Sequence, residues 1–277
     1  MSRRRGYWKK GRRKFVPILF PYDRYKTLNE QFTVYYPASE ETLVRWVQQT
    51  VKRAGEQLSA LLQVELPAFE VLLVDMQDWD LVPHTDSEEV DIPHPYMTDV
   101  TTPPTLVVPS EIDTIFGEVT SEKFAFMLYH ELVVAFLEDD PRPWPENSPL
   151  WADEWQFKFA ALWLSHTLDD VQGVVNKDVR EHYADGFEPE LDGKTPVTIR
   201  GFDWYEDTSS EDFLAYELLL EQFAADLLAR YDIAALPRFL TGYRVEREEF
   251  LSEEVTTLLA SVLGEGADEW LEGLDYF

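Results

Sequence analysis

The sequence FAFMLYHELVVAFL, residues 124–137, decides the fold of this chain. Its apolar residues recur at spacings of three and four and occupy nearly all of its positions. This pattern is typical of a helix that is buried almost all round. Two ionisable residues, His130 and Glu131, interrupt the apolar run. Such groups are costly to bury unless they are paired or bound, so the helix is predicted to hold a candidate site as well as core residues.

A second motif lies downstream, where Pro149-Leu-Trp-Ala-Asp-Glu154 opens another strongly apolar stretch. Helical spacing predicts a helix from Trp151 to Leu168, at hairpin distance from the first. Glu154 follows His130 by 24 residues and lies at the start of this second helix, where the chain would turn back. The two helices are therefore expected to be neighbours in the core.

The first helix lacks one residue of a known metal-binding motif. Residue 134 lies one helical turn after His130, on the same face. A histidine there would complete His-Glu-x-x-His, in which two imidazoles bind one zinc ion and the glutamate acts as general base. This chain has Val134 instead. The stretch therefore holds His130 and Glu131 of such a motif without its second histidine.

These residues resemble the gluzincin branch of the zincin metallopeptidases, and the bacterial peptidase-MA-like group in particular. In that group His-Glu-Leu-x-His is followed by Pro-x-Trp-x-x-Glu-Gly. The chain has His130-Glu-Leu-Val-Val134 and Pro149-Leu-Trp-Ala-Asp-Glu-Trp155, with a tryptophan where the group has its last glycine. The resemblance extends over most of residues 30–277, as a likeness of pattern outside the two motifs.

The resemblance implies a role for each matching residue. His130 and Glu154 would be zinc ligands and Glu131 the general base, while Tyr216 would be the tyrosine that steadies the oxyanion in some relatives. Val134 replaces a ligand. The chain is therefore predicted to be a pseudoenzyme, a metallopeptidase-like protein with a degenerate motif.

Three residues are candidates to replace the missing ligand: His84 and His94 in a long loop, and Asp153 beside Glu154. Asp153 should point about 100° away from Glu154 around the helix. Without a substitute, His130 and Glu154 give zinc two of the three protein ligands that catalytic sites use, so no tightly bound cofactor is expected. An active peptidase, which is the alternative, requires zinc. The motif can also be interpreted as purely structural, as a metal-free hydrogen-bonded cluster that joins the two core helices.

The rest of the chain predicts an α+β fold. Strands are predicted early in the chain, at 31–36, 69–74 and 105–108. Helices are predicted at 43–62, 211–231, 233–243, 252–263 and 267–274. Residues 75–104 are predicted to be a long surface excursion, because prolines and acidic residues break the pattern. The expected architecture is zincin-like: an N-terminal mixed sheet with a helix packed on the two motif helices, followed by a mainly helical C-terminal half.

The charge is acidic and unevenly spread. The chain has 53 acidic and 24 basic residues, a net charge of −29. One third of the basic residues lie in a short N-terminal arm: Arg3, Arg4, Arg5, Lys9, Lys10, Arg12, Arg13 and Lys14. We therefore expect residues 1–14 to form a basic flexible arm and residues 15–277 one zincin-like domain, with the sheet and motif helix in 15–137 and the helical half in 138–277.

These features limit the partners. An acidic body repels nucleic acid, so nucleic-acid contact is expected only through residues 1–14, which are otherwise a tail or an arm folded onto the body. No apolar run reaches the roughly 20 residues of a membrane span. The absence of cysteine excludes thiol chemistry and fits a cytoplasmic location, and no phosphate-loop or Gly-x-Ser-x-Gly motif is present. The predicted function is binding of a protein or peptide.

Overall fold

The computed structural model describes residues 20–84, 92–112, 117–182, 197–204 and 208–277. The chain folds into two compact units, Met1–Asp140 and Pro141–Phe277. The basic arm at residues 1–14 lies outside the described residues.

The first unit contains a five-stranded mixed sheet and two long helices. Its strands are β1 (Lys26–Asn29), β2 (Thr33–Tyr36), β3 (Glu70–Val74), β4 (Tyr96–Thr98) and β5 (Thr105–Pro109). Its helices are α1 (Glu41–Leu62) and α2 (Ser121–Asp139). The strand order is β1-β2-β3-β5-β4; the three inner strands run parallel, whereas the edge strands β1 and β4 pair antiparallel with their neighbours.

The two central strands form the middle of the first unit. β3 and β5 are apolar nearly throughout and buried, as expected for parallel strands covered on both faces. Leu72, Val74 and Val107 pack against an aromatic cluster that includes Phe20 and Trp79. The helices α1 and α2 pack against each other. α2 also packs against the edge strand β4, so the sheet lies beside the motif helix.

The motif helix α2 is buried as the sequence predicts. It begins after Thr120, whose side chain accepts a hydrogen bond from the N–H of Lys123 at 3.3 Å. Pro141 disfavours a helical conformation at Asp140, so the helix ends at Asp139. Every residue between positions 128 and 137 is buried except His130, which is partly exposed.

The prediction of a surface excursion at 75–104 is wrong for much of the described part. A 3-10 helix, Met76–Leu81, follows β3 and buries Asp78 and Trp79. The edge strand β4 then buries all three of its residues. A strand of three residues is too short to show a period of two, and the contacts that bury Trp79 come from distant parts of the chain.

The second unit is helical where it is described. Its helices are α3 (Leu150–Leu168), α4 (Lys177–His182), α5 (Ser210–Arg230), α6 (Ala235–Tyr243), α7 (Ser252–Leu263) and α8 (Ala267–Glu272). α3 packs along α5, and α6 packs along α7. A mixed sheet in the first half and helices in the second confirm the predicted α+β class and its architecture of an N-terminal sheet with a mainly helical C-terminal half.

Candidate functional site

His130 and Glu131 lie side by side on α2 and contact each other. His130 Nδ1 is 3.2 Å from Glu131 Oε1. Glu131 Oε2 accepts a second hydrogen bond, from the backbone N–H of Met97 on β4, at 2.8 Å. Both carboxylate oxygens of Glu131 are therefore engaged by groups of the first unit.

The surroundings of Glu131 hold it in the ionised form. The residue is buried, and burial by itself raises the pKa of Glu131. The hydrogen bond and charge of His130, together with the N–H of Met97, outweigh burial and hold the pKa of Glu131 below its usual value. A carboxylate with a lowered pKa is a weaker proton acceptor, which makes Glu131 less suited to general base catalysis.

Val134 lies four residues after His130 and is 6% exposed. Its side chain carries no atom that can bind a metal ion, and the adjacent Val133 and Ala135 carry none either. The part of α2 that would carry two imidazoles in the resembled family therefore carries one.

Glu154 lies in the second unit, in the first turns of α3, and is 3% exposed. Lys158, four residues further along α3, is also buried, and its Nζ is 2.6 Å from Glu217 Oε2 on α5. Burial lowers the pKa of Lys158, but the carboxylates of Glu217, Glu221 and Glu154 outweigh burial and raise it above its usual value. Lys158 is therefore charged and offsets the negative charge of the neighbouring glutamates.

Tyr216 lies on α5, and its ring stacks on that of Phe202 with the centroids 4.1 Å apart. Within the described part of the chain, the buried Tyr216 hydroxyl has no hydrogen-bond partner. Burial raises the pKa of Tyr216 well above its usual value, and the charge of Glu154 raises it further. The structure thus places Tyr216 within electrostatic range of Glu154, as a neutral hydroxyl.

The motif residues are divided between the two units. His130, Glu131 and Val134 belong to the first unit, and Glu154 and Tyr216 to the second. Their assembly into one site stays a prediction. Within the described ranges, no group of three or more His, Cys, Asp or Glu side chains is arranged to hold a metal ion.

The proposed substitute ligands have contacts of their own. His84 Nδ1 is 2.8 Å from the carbonyl oxygen of Val82, and His94 Nδ1 is 2.6 Å from that of Ile92. Burial lowers the pKa of His94, and the charge of Glu131 partly opposes this effect, so these two side chains lie within electrostatic range. Asp153, in the second unit, accepts a hydrogen bond from the Tyr243 hydroxyl at 2.8 Å.

Three residues with a part in these contacts were not singled out from the sequence. Lys158 had a signal, because it is a charged residue in an apolar helix, four positions after Glu154. Glu217 had a weaker one, since it stands next to Tyr216 on α5. Met97 had none, because its contribution is a backbone N–H and its partner is 34 residues away.

The remaining sequence predictions concern the basic arm and the membrane. The eight basic residues of the arm lie outside the described residues, so nucleic-acid contact through residues 1–14 stays a prediction. Deleting residues 1–14 tests this prediction, and an unchanged affinity for nucleic acid would contradict it. In the part of the chain that the structure describes, no helix is long and apolar enough to cross a membrane.

Comparisons with known proteins give a likeness to solved structures. No protein-family model and no curated protein matches the chain. Among solved structures, the chain is similar to native LTA4 hydrolase from yeast, with a TM-score of 0.48 and 12% sequence identity. The likeness covers 91% of this chain and 38% of the yeast chain, so this chain spans well under half of that protein's length.

Proposed function

We propose that this protein is a zincin-like, metallopeptidase-like protein that lacks hydrolytic activity, holds no zinc tightly, and acts by binding a protein or peptide. The observation that carries this proposal is the engagement of Glu131. Its Oε1 faces His130 and its Oε2 accepts the N–H of Met97 at 2.8 Å. The residue that the family resemblance makes the general base is thus used in internal contacts.

General base catalysis needs a carboxylate oxygen within hydrogen-bond reach of the attacking water. In Glu131, His130 and Met97 each take up one acceptor site of a carboxylate oxygen, so an attacking water would have to share an oxygen with one of them. The lowered pKa of Glu131 also makes it a poorer general base, because the proton affinity of the carboxylate is reduced. Both features favour a structural role for Glu131.

The ligand set on α2 does not fit a catalytic zinc ion. Such an ion takes three protein ligands and keeps a fourth position for water. The helix offers one imidazole, that of His130, and a valine at the position of the second. Glu154 would add one ligand under the resemblance, which leaves the set one short.

A constructive variant tests the ligand part of the proposal. Val134→His is expected to raise the zinc bound per chain after dialysis, because it supplies the imidazole that the i, i+4 spacing requires. His130→Ala/Val134→His is the matched control, since it keeps the new histidine and removes the old one. Equal zinc in Val134→His and the control would show that residue 134 is not the cause of weak binding.

A hydrolysis assay tests the loss of activity. The full chain, supplied with excess zinc, is incubated with a mixture of random peptides, and the products are identified by mass spectrometry. We expect no cleavage above that of a Glu131→Gln control. Cleavage that a chelator stops and Glu131→Gln abolishes would overturn the proposal.

The binding part of the proposal has its own test. A library of random peptides is selected against the immobilised full chain, and the selected peptides are measured in solution by calorimetry. Saturable binding of a shared peptide pattern is expected. Selection that yields no peptide with saturable binding would count against a peptide-binding role.

A second candidate function is an active zinc peptidase with a substitute ligand, and His94 is the observation that favours it. Its lowered pKa keeps the imidazole neutral, which is the form that binds metals, and it lies within electrostatic range of Glu131. This function predicts that His94→Ala removes both zinc and chelator-sensitive hydrolysis, whereas His84→Ala does not. An unchanged zinc content in His94→Ala would exclude His94 as the ligand.

A further inference from the structure

The outer side of β4 is the place where Glu131 makes its contact with the sheet. β4 is the last strand in the sheet order and pairs only with β5 among the described strands. Met97 stands opposite Leu106 in this pair, yet its N–H is bonded to Glu131 Oε2 at 2.8 Å. The N–H of Met97 therefore points away from β5, and the carboxylate lies along the outer edge of the strand.

An edge strand can pair with a further strand through its outward N–H and C=O groups. In an antiparallel pair, alternate residues turn their backbone groups towards the partner strand, so Met97 is the residue of β4 whose N–H faces outward. The residue two positions earlier is Pro95, which has no N–H. No outward donor between positions 95 and 98 is therefore available to a further strand.

We infer that Glu131 is a positioning residue that latches β4 to α2 and closes this edge of the sheet to strand addition. The contact is buried on both sides, with Glu131 at 6% and Met97 at 5% exposure, so water competes poorly for it. A hydrogen bond from an N–H to a carboxylate is also among the stronger kinds. The inference involves neither a metal nor a partner; it uses the same Glu131–Met97 contact that supports the proposed function, but it concerns the sheet edge and not zinc or hydrolysis.

The latch also limits how a peptide can bind. A partner strand that paired with β4 would need the N–H of Met97 and would have to displace the carboxylate of Glu131. A peptide that binds while the latch is closed must therefore contact other backbone or side-chain groups. The glutamate that the resemblance makes catalytic instead protects a sheet edge.

Hydrogen exchange of the Met97 amide, measured by NMR on the full chain, tests the inference. Glu131→Ala is expected to speed exchange at Met97 by at least about tenfold relative to amides of β3. Glu131→Gln keeps a hydrogen-bond acceptor, so the increase in the exchange rate should be smaller. Asp139→Ala, an exposed acidic residue on the same helix, is the control and should leave the ratio unchanged. Exchange at Met97 that follows the β3 amides in all variants would overturn the latch.

A double-mutant cycle covers the case in which Glu131→Ala is too unstable for exchange measurements. Met97→Pro removes the outward N–H and spares the ladder to β5, because proline is tolerated at outward positions of edge strands. If the latch exists, Glu131→Ala lowers the urea midpoint less in the Met97→Pro background than in the wild type. Additive effects of the two changes would contradict it.

Discussion

Two buried tyrosine hydroxyls of the second unit have different surroundings. Tyr243 donates to Asp153 at 2.8 Å, whereas the Tyr216 hydroxyl has no partner among the described residues. Tyr216→Phe is therefore predicted to leave the free energy of unfolding unchanged or slightly higher, and Tyr243→Phe to lower it by about 1–2 kcal/mol. Urea denaturation of both variants provides the measurement. A loss in Tyr216→Phe as large as that in Tyr243→Phe would show that its hydroxyl is bonded.

The buried Lys158 is predicted to be costly to remove by itself. Its Nζ lies 2.6 Å from Glu217 Oε2, and removing the charge breaks this ion pair. Lys158→Met should lower the free energy of unfolding by about 3–5 kcal/mol, because removing one partner of a buried ion pair is strongly destabilising. Lys158→Met/Glu217→Leu should recover much of this loss, since it removes both charges. A double variant no more stable than the single one would contradict this account.

The same lysine predicts a dependence on alkaline pH. Its folded pKa is raised above the ordinary value of 10.5, so its contribution to stability is complete below that pH and is lost as pH rises through the folded pKa. The difference in unfolding free energy between wild type and Lys158→Met should therefore stay constant from neutral pH to about 10 and shrink above it. A difference that shrinks already below pH 9 would contradict a raised pKa of Lys158.

At the level of single residues, the sequence pointed to side chains and missed their partners. His130, Glu131 and Glu154 stood out because ionisable groups are rare in apolar helices. The N–H of Met97 could not be found in this way, because every residue but proline carries one. Which oxygen of Glu131 is engaged depends on how β4 pairs with β5, and that pairing joins residues distant in sequence.

The irregular segment at the start of the second unit, residues 141–149, is held by backbone hydrogen bonds and by a cation–π contact. The N–H of Asn147 donates to the carbonyl of Glu248, and that of Phe250 donates to the carbonyl of Asn147. The guanidinium of Arg244 lies 3.3 Å from the centre of the Trp144 ring. A segment with four prolines is thereby fixed without regular secondary structure.

We predict that Arg244→Lys loosens this segment. Lysine cannot stack flat on an indole, and a buried cation–π contact contributes about 2 kcal/mol. The variant should be cleaved faster by protease within residues 141–149 and should unfold at lower urea. Arg238→Lys is the control, because Arg238 is exposed on α6. Equal cleavage rates in the two variants would contradict a role for the stacked arginine.

The long helices were predictable, whereas the edge strands β1 and β4 were not. α2 and α3 were found because apolar residues at helical spacing continue over many turns. β1 and β4, of four and three residues, are too short for their period to show, and β4 is flanked by prolines that favour a loop. The edge of the sheet, where the latch lies, was therefore outside what periodicity could predict.

The charge of the whole chain predicts a dependence on salt. A net charge of −29 makes the folded chain repel itself, and added salt screens this repulsion. The urea midpoint should rise when NaCl is raised from about 0.05 to 0.5 M, and KCl should act alike, because screening depends on ionic strength. A midpoint that stays constant, or that rises with one salt alone, would contradict screening.

The zinc content of the purified wild-type protein tests the central claim most directly. The claim is that the helix with His130 and Val134, and with a glutamate bonded to the edge strand, no longer forms a catalytic zinc site. Elemental analysis after expression with added zinc and purification without chelator should find far less than one zinc ion per chain. One tightly held zinc ion per chain, retained through dialysis, would contradict the account.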